Sequence, residues 1–212
     1  MENLSPLVVG YLASFFLVAL LAFTAFIKVS VVLMIVRNAI GLQQVPSNMI
    51  VMVLALMLSA FIALPAVVQA FDNIEALGPL GNSIDALFNV WSAGLAPFKA
   101  FIAQHTDPQH LGFFVAVAEE VWDGSGVAAT PDQTVIQVPA FVLTELTAAF
   151  EIGFLLYLPF VAIDLAITAI LIALGMQLVQ PTIISVPFKI LLFVAIDGWA
   201  KLVEGLMLSY TV

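Results

Sequence analysis

Pro187-Phe188-Lys189-Ile190-Leu191-Leu192-Phe193-Val194-Ala195-Ile196-Asp197-Gly198-Trp199 places a lysine and an aspartate in one of the most apolar stretches of a very apolar chain. An ionised side chain facing lipid costs several kcal/mol. Anchoring alone does not call for such charges. They point to helices whose neighbours are other protein segments, or to a hydrated path. The remainder of the chain has the same character: 212 residues, 63% hydrophobic, 9% charged, with a mean hydropathy of +1.18. Soluble domains carry about 25% charged residues, so the composition is that of an integral membrane protein or of a subunit of a membrane complex. The expected fold class is all-α, built of long helical hairpins with a small acidic helical insertion.

The net charge of −9 is unevenly spread. Residues 1–70 sum to +1, 71–132 to −7 and 133–212 to −3. The acidity therefore belongs mostly to the insertion, and it argues against nucleic-acid binding, which needs a basic footprint. The absence of cysteine excludes a disulfide frame, a thiol nucleophile and a thiolate metal site. The opening Met1-Glu2-Asn3-Leu4 has no basic n-region and no small-residue cleavage site, so the first apolar tract is expected to be retained.

Three segments follow from the pattern. Residues 1–71 form an N-terminal apolar helical hairpin, with Leu7 to Val36 and Ile50 to Phe71 as its arms and the polar connection from Asn38 to Asn48 between them. Thirty helical residues span about 45 Å against about 30 Å of hydrocarbon. Lys28 lies about 13.5 Å inside the boundary that Arg37 would mark, too far for easy snorkelling. Whether the bilayer ends near Ile27 or beyond it, the Val29 to Val36 stretch then requires a protein neighbour. Residues 72–138 are the acidic insertion, punctuated by Gly78-Pro79, Pro97, Asp107-Pro108, Gly124-Ser125-Gly126 and Pro131-Asp132. Two helices fit there, near 83–104 and 109–122, followed by a loop from Gly124 to Gln137. Residues 139–212 form a C-terminal apolar hairpin, in which Pro159 kinks or interrupts the first arm, Gln180-Pro181 and Val186-Pro187 bracket the turn, and the last helix runs from Pro187 to Leu208. Counting cations puts the short loops in the cytoplasm and the insertion with both termini outside.

Ala162, Ala166, Ala169 and Ala173 share one helix face, where small side chains let backbones approach closely. Glu145, Glu151, Asp164, Lys189 and Asp197 are ionisable groups in apolar sequence. Asp197 and Lys201 stand at i, i+4 with the acid first, the favourable order for a local ion pair. Lys189 has no acid at such a spacing, so its partner lies elsewhere in the fold or on another copy. Glu145 is the first candidate and Glu151 the second. A proton relay through such groups is the functional competitor. His105 and His110 flank Asp107-Pro108 without a third ligand to complete a metal site. No phosphate-binding loop, nucleophile elbow or paired-carboxylate motif occurs, and neither a catalytic site nor a cofactor is expected.

Three blocks of sequence resemble one family. The first runs from Phe26-Ile27-Lys28-Val29 through Arg37-Asn38-Ala39-Ile40-Gly41-Leu42-Gln43-Gln44-Val45-Pro46-Ser47-Asn48. The second is Pro139-Ala140-Phe141-Val142-Leu143-Thr144-Glu145-Leu146 with Ala149-Phe150-Glu151-Ile152-Gly153 and Pro159-Phe160. The third is Pro187-Phe188-Lys189 with Asp197-Gly198-Trp199. In this order and spacing they resemble the FliP/SctR family, the R-type core subunits of the bacterial type III secretion export apparatus. The resemblance covers most of the chain outside 72–138. It implies a homo-oligomer, typically of five copies, joined by S-type and T-type subunits in a helical ring or cone around a narrow pore for unfolded secreted substrates. It also implies further export-gate components and inner rod or needle proteins as partners. The location implied is the bacterial inner membrane, multi-pass by hydropathy and raised toward the periplasm in the assembled complex, with the insertion periplasmic and the C-terminal hairpin lining the pore. The resemblance supports an intersubunit pair between Glu145 and Lys189, and leaves Lys28, Arg37, Asp164, Asp197 and Lys201 as packing and structural charges. Met176-Gln177-Leu178 is expected to form the pore constriction. It departs from the run of methionines common in the family by keeping one. The missing secretory signal favours an injectisome over a flagellum. The alternative is an ion-coupled transporter or channel subunit using Asp164, Lys189 and Asp197, which would ordinarily show two related halves.

Overall fold

The computed structural model describes residues 24–42, 46–78 and 84–211. Among them there are seven helices and no strand: α1 (Phe26–Ile40), α2 (Asn48–Glu75), α3 (Ile84–His105), α4 (Pro108–Val121), α5 (Thr134–Ala173), α6 (Pro181–Ala195) and α7 (Gly198–Leu208). Most of the first apolar tract, and Gln43 and Gln44 of the first connection, lie outside the described residues. α2 and α5, of 28 and 40 residues, are long and apolar enough to cross a membrane, and α6 with α7 would make a third span if that bent pair counts as one. The all-α membrane reading holds.

The described residues divide into two compact units. The first takes in 24–27, 59–78 and 84–145; the second takes in 28–42, 46–58 and 146–211. α2 and α5 each contribute residues to both, so the units cut across the sequential order of the three segments.

In the first unit, Ala66 and Ala70 of α2 pack on Phe98 of α3, with Val67 beside them. The buried hydroxyls of Thr24 and Ser59 bond each other at 2.7 Å. Phe101 of α3 meets the Phe141 ring of α5 edge-on at 6.0 Å. The two insertion helices fall within a residue or so of their expected limits. α5 begins at Thr134, inside the expected loop, because the Gln133 carbonyl already accepts from the N–H groups of Ile136 and Gln137.

In the second unit α1 is buried almost all round, with Val29, Val32, Leu33 and Val36 at 0–1% exposure. The stretch that required a protein neighbour has one in its own chain. Gly153 of α5 lies so close to α1 that a Cβ there would meet Ile35 Cδ1 at 2.5 Å.

Three expectations about the helix breaks are corrected. α5 runs through Pro159 without interruption. Proline removes one N–H, but Phe160 beside it is buried and packs against Phe193 at 6.2 Å, holding that segment in place. Pro187 does not bracket a turn; it lies inside α6, which starts at Pro181. The turn lies earlier, where Gly175 at φ 72 lets Met176 N–H reach Leu171 O and Gly175 N–H reach Ile172 O, a Schellman ending. Pro181 then opens α6 at the position where a missing N–H costs least. The last helix is broken as well. α6 and α7 meet at 62°, with Asp197 in the left-handed region at φ 54, ψ 47. Gly198 permits the break because the Phe193 ring packs onto its backbone; an added Cβ would sit 2.5 Å from that ring. Trp199 closes the cluster edge-on to Phe193 at 5.2 Å.

Candidate functional site: buried cations and the exposed hairpin tip

The second unit buries three of the chain's five cations, each against a different kind of partner. Lys189 of α6 donates to Asp164 Oδ2 of α5 at 2.6 Å and to the Ala39 carbonyl of α1 at 3.1 Å. The second bond follows from how α1 ends. Gly41, at φ 91, lets its own N–H take Asn38 O and Leu42 N–H take Arg37 O. Ala39 O, among the last carbonyls of α1, accepts from Lys189, which places positive charge at the negative end of the α1 dipole. A Cβ on Gly41 would lie 2.6 Å from Val186 Cγ2, so glycine is required there for space as well as for φ. One ammonium thus ties α1, α5 and α6 together.

Arg37 donates to Asn48 Oδ1 at 2.6 Å and to the Pro46 carbonyl at 3.2 Å, fastening the end of α1 to the start of α2. Lys28 lies over the Tyr210 ring, 3.6 Å from its centroid. That cation–π contact satisfies a buried ammonium with an apolar wall.

The sequence reading sought the partner of Lys189 at Glu145 or Glu151, and the chain itself supplies Asp164. The hairpin register explains this: Asp164 and Lys189 are equidistant from the Met176–Gln177 bond, as are the packed rings of Phe160 and Phe193. Spacing within one helix cannot reveal such a pair; folding the hairpin about its turn does. Glu145 is buried, at 2% exposure, at the edge of the first unit. Asp197 and Lys201 meet through the backbone, Lys201 N–H donating to Asp197 O at 3.2 Å, and among the described residues no ion pair joins their side chains. The left-handed turn at Asp197 takes its carboxylate off the helical geometry that the i, i+4 spacing assumes. Ala162, Ala166, Ala169 and Ala173 are all exposed within the chain.

The tip between α5 and α6 is apolar and uncovered. Leu174, Met176 and Leu178 are 67%, 43% and 101% exposed. The exposed face of α5 continues with Phe150, Phe154, Leu155, Leu158 and Leu165, and that of α6 with Ile183, Phe188 and Leu191.

The first unit holds a polar junction that the sequence did not disclose. Thr144 Oγ1 donates to Ala140 O at 2.9 Å, and accepts from Asp107 N–H at 3.1 Å and from His110 Nδ1 at 2.9 Å. A hydroxyl has one proton, spent here on Ala140, so the facing His110 nitrogen must carry a hydrogen. Asp107 caps α4 through Gln109 N–H at 2.7 Å. His105 bonds Phe101 O at 2.8 Å. The two histidines therefore serve helix ends and packing, and no cluster of three metal-ligating side chains occurs among the described residues.

Comparison with known proteins gives this arrangement a context. A family model described as the FliP family matches residues 9–206. The probable translocation protein y4yL of Sinorhizobium fredii is 43% identical, the match covering 100% of this chain and 98% of that protein. The Yop proteins translocation protein R of Yersinia pestis is 43% identical over 88% of this chain and 87% of its own. The hypersensitivity response secretion protein HrcR of Ralstonia nicotianae is 41% identical over 91% and 90%. With the match running nearly end to end and the lysine-tied hairpin falling inside it, the chain belongs to the FliP family.

Proposed function

We propose that this chain is a core subunit of a type III secretion export gate, forming with other subunits the pore through which unfolded proteins cross the bacterial inner membrane. The observation that carries this reading is the contrast within the second unit. Its three buried cations find their partners within the chain, while the outer faces of α5 and α6 and the tip between them are large, apolar and bare. Bare apolar faces of that extent mark contact with other protein or with lipid. Embedded charges beside them disfavour lipid on all sides. Sister copies, five by resemblance, with S-type and T-type subunits would cover these faces, in a helical ring or cone. Larger export-gate components and inner rod or needle proteins are the further partners. The relatives named for translocation and for secretion of the hypersensitivity response favour an injectisome.

In this assembly Met176, Gln177 and Leu178 form the constriction. Leu178 is wholly exposed at the turn, and the thioether of Met176 is a flexible gap-filler suited to sealing around variable chains. The chain's role is to hold and shape a passage; no step of covalent chemistry is assigned to it. The Glu145–Lys189 contact between copies is retained as a proposal in competition with the Lys189–Asp164 pair within one chain. A charge swap separates them: Glu145→Lys rescued by Lys189→Glu supports the first, and Asp164→Lys rescued by Lys189→Asp the second.

The test of function is a photo-crosslinking amino acid placed in turn at 176, 177 and 178 in cells exporting a substrate fused to a tightly folded plug. Crosslinks between the stalled substrate and these positions are expected, with none from position 204 on the exposed face of α7. Crosslinking absent at all three positions while the substrate is demonstrably stalled would overturn the constriction.

A further inference from the structure

Glu151 and Lys201 are the charged groups of the second unit left over once the ties of Lys189, Arg37 and Lys28 are accounted for, together with the acids Asp197 and Glu204. Glu151 is exposed on α5 between Phe150, Phe154 and Leu155, which are 62%, 63% and 61% exposed. Lys201 is exposed on α7, about 100° around the helix from the buried Leu202. Among the described residues neither meets an opposite charge within ion-pair distance. A carboxylate amid exposed aromatics on a helix apolar enough to cross a membrane cannot stably face lipid.

Their heights in the hairpin are related. The pairs Asp164–Lys189 and Phe160–Phe193 fix the register, each symmetric about the Met176–Gln177 bond. Continued outward, the register sets Lys201 level with residue 152, one position from Glu151. The 62° bend before α7 shortens the climb of the last four residues from about 6 Å to about 3 Å along the hairpin. That offset lies within the reach of a lysine stem. The acid and the base therefore sit at nearly one height on the same chain, both turned outward and unpaired with each other.

This is the arrangement a ring needs. Copies related by rotation about one axis present the same residues at the same height, and a head-to-tail contact joins one face of each copy to a different face of the next. We propose that Lys201 of one copy pairs with Glu151 of the next, locking neighbouring hairpins in register. The proposal rests on the homo-oligomer reading above and adds the contact itself. The bare alanine face of α5, Ala162 to Ala173, lies below Glu151 on the same helix and leaves room for the bulky side chains of a neighbouring α6 at that interface.

The cysteine-free sequence makes the test clean. Glu151→Cys and Lys201→Cys are placed in separately tagged copies and co-expressed with the other apparatus subunits. On mild oxidation of the membranes, a covalent dimer carrying both tags is expected, and neither variant expressed alone should give one. A chain bearing both substitutions should yield a ladder of covalent multimers. The native mass of each assembly is measured in parallel. Normal oligomer mass without mixed-tag dimers would overturn this contact and leave the oligomer reading standing. A protein that forms no oligomer at all, even unsubstituted, would overturn both. As a second readout, Glu151→Lys and Lys201→Glu should each lower the yield of assembled complex, and the double swap should recover it. Failure of the double swap where both single changes impair assembly would count against the pair.

Discussion

The two compact units of this chain secure their buried polar groups by different means. The second unit uses full charges: Lys189 on Asp164 and a helix-end carbonyl, Arg37 on Asn48 and a carbonyl, Lys28 on the face of Tyr210. The first unit, in the contacts described, uses hydroxyl and imidazole groups: Thr144 serving Asp107 and His110, and Thr24 with Ser59. Its many carboxylates are largely on the surface, as expected of a segment carrying most of the net negative charge. Neutral hydrogen bonds each contribute about 1 kcal/mol and leave little behind when removed in matched pairs, whereas a buried charge stripped of its partner costs several. The second unit should therefore tolerate polar substitution far less than the first.

The largest expected effect tests that contrast directly. Asp164→Ala leaves the Lys189 ammonium buried with only Ala39 O, and should destabilise the second unit by about 3 kcal/mol, the low end for a broken buried pair because Asp164 itself is 41% exposed. Lys189→Met with Asp164→Leu should recover most of the loss, since an apolar pair of similar volume replaces the ions. Detergent-solubilised thermal melts of the three variants would show it. A loss under 1 kcal/mol for Asp164→Ala would break the contrast.

Next comes packing at the α6–α7 break. Gly198→Ala forces a Cβ to within 2.5 Å of the Phe193 ring, which is itself held by Trp199 and Phe160. Overpacking of this kind costs about 1–3 kcal/mol. Tryptophan fluorescence should report it through Trp199. An unshifted spectrum and melt would mean that the ring moves aside freely.

In the first unit, Thr144→Val removes the acceptor of Asp107 N–H and His110, and should cost about 1–2 kcal/mol. Histidine nitrogen shifts should show His110 losing its fixed Nδ1–H form. A loss as large as that of Asp164→Ala would erase the difference between the units.

The smallest effect concerns Asp132, a surface group in the loop before α5. The Thr130 hydroxyl, with a backbone bond as the second cause, holds its carboxyl below the usual range. A depressed folded pKa contributes stability that is present above the unfolded value and is lost as pH falls through the folded one. Thr130→Val should raise the Asp132 pKa toward the ordinary carboxylate value and narrow that acid window. Carboxyl titration by NMR would check the direction.

How far the sequence discloses this molecule follows from the same physics. Hydropathy and proline or glycine punctuation suffice for the two insertion helices and for the apolar arms, because those signals are local. Pro187 misleads as a turn signal, and Pro159 does not interrupt its helix, since the tertiary contacts of Phe160 and Phe193 override a local preference to break. The buried status of Lys28 and Lys189 is legible from the cost of charge in apolar surroundings. Their partners are not, because Asp164, Ala39 O and Tyr210 are far away in sequence and become neighbours only once the hairpin register is set. The Thr144 junction leaves no signal at all in composition or spacing. The constriction and the contacts between copies rest on family resemblance and on exposed surface, and the experiments above decide them.

The central claim is that the bare apolar faces of α5 and α6 are covered by sister chains and by other apparatus subunits. The most direct measurement is the native mass of the particle isolated in mild detergent when this chain is produced with the S-type and T-type subunits proposed as its partners. A discrete assembly holding several copies of this chain is expected, with no stable monomer fraction. A monodisperse monomer that stays folded in lipid nanodiscs and never joins a larger particle would contradict the claim outright.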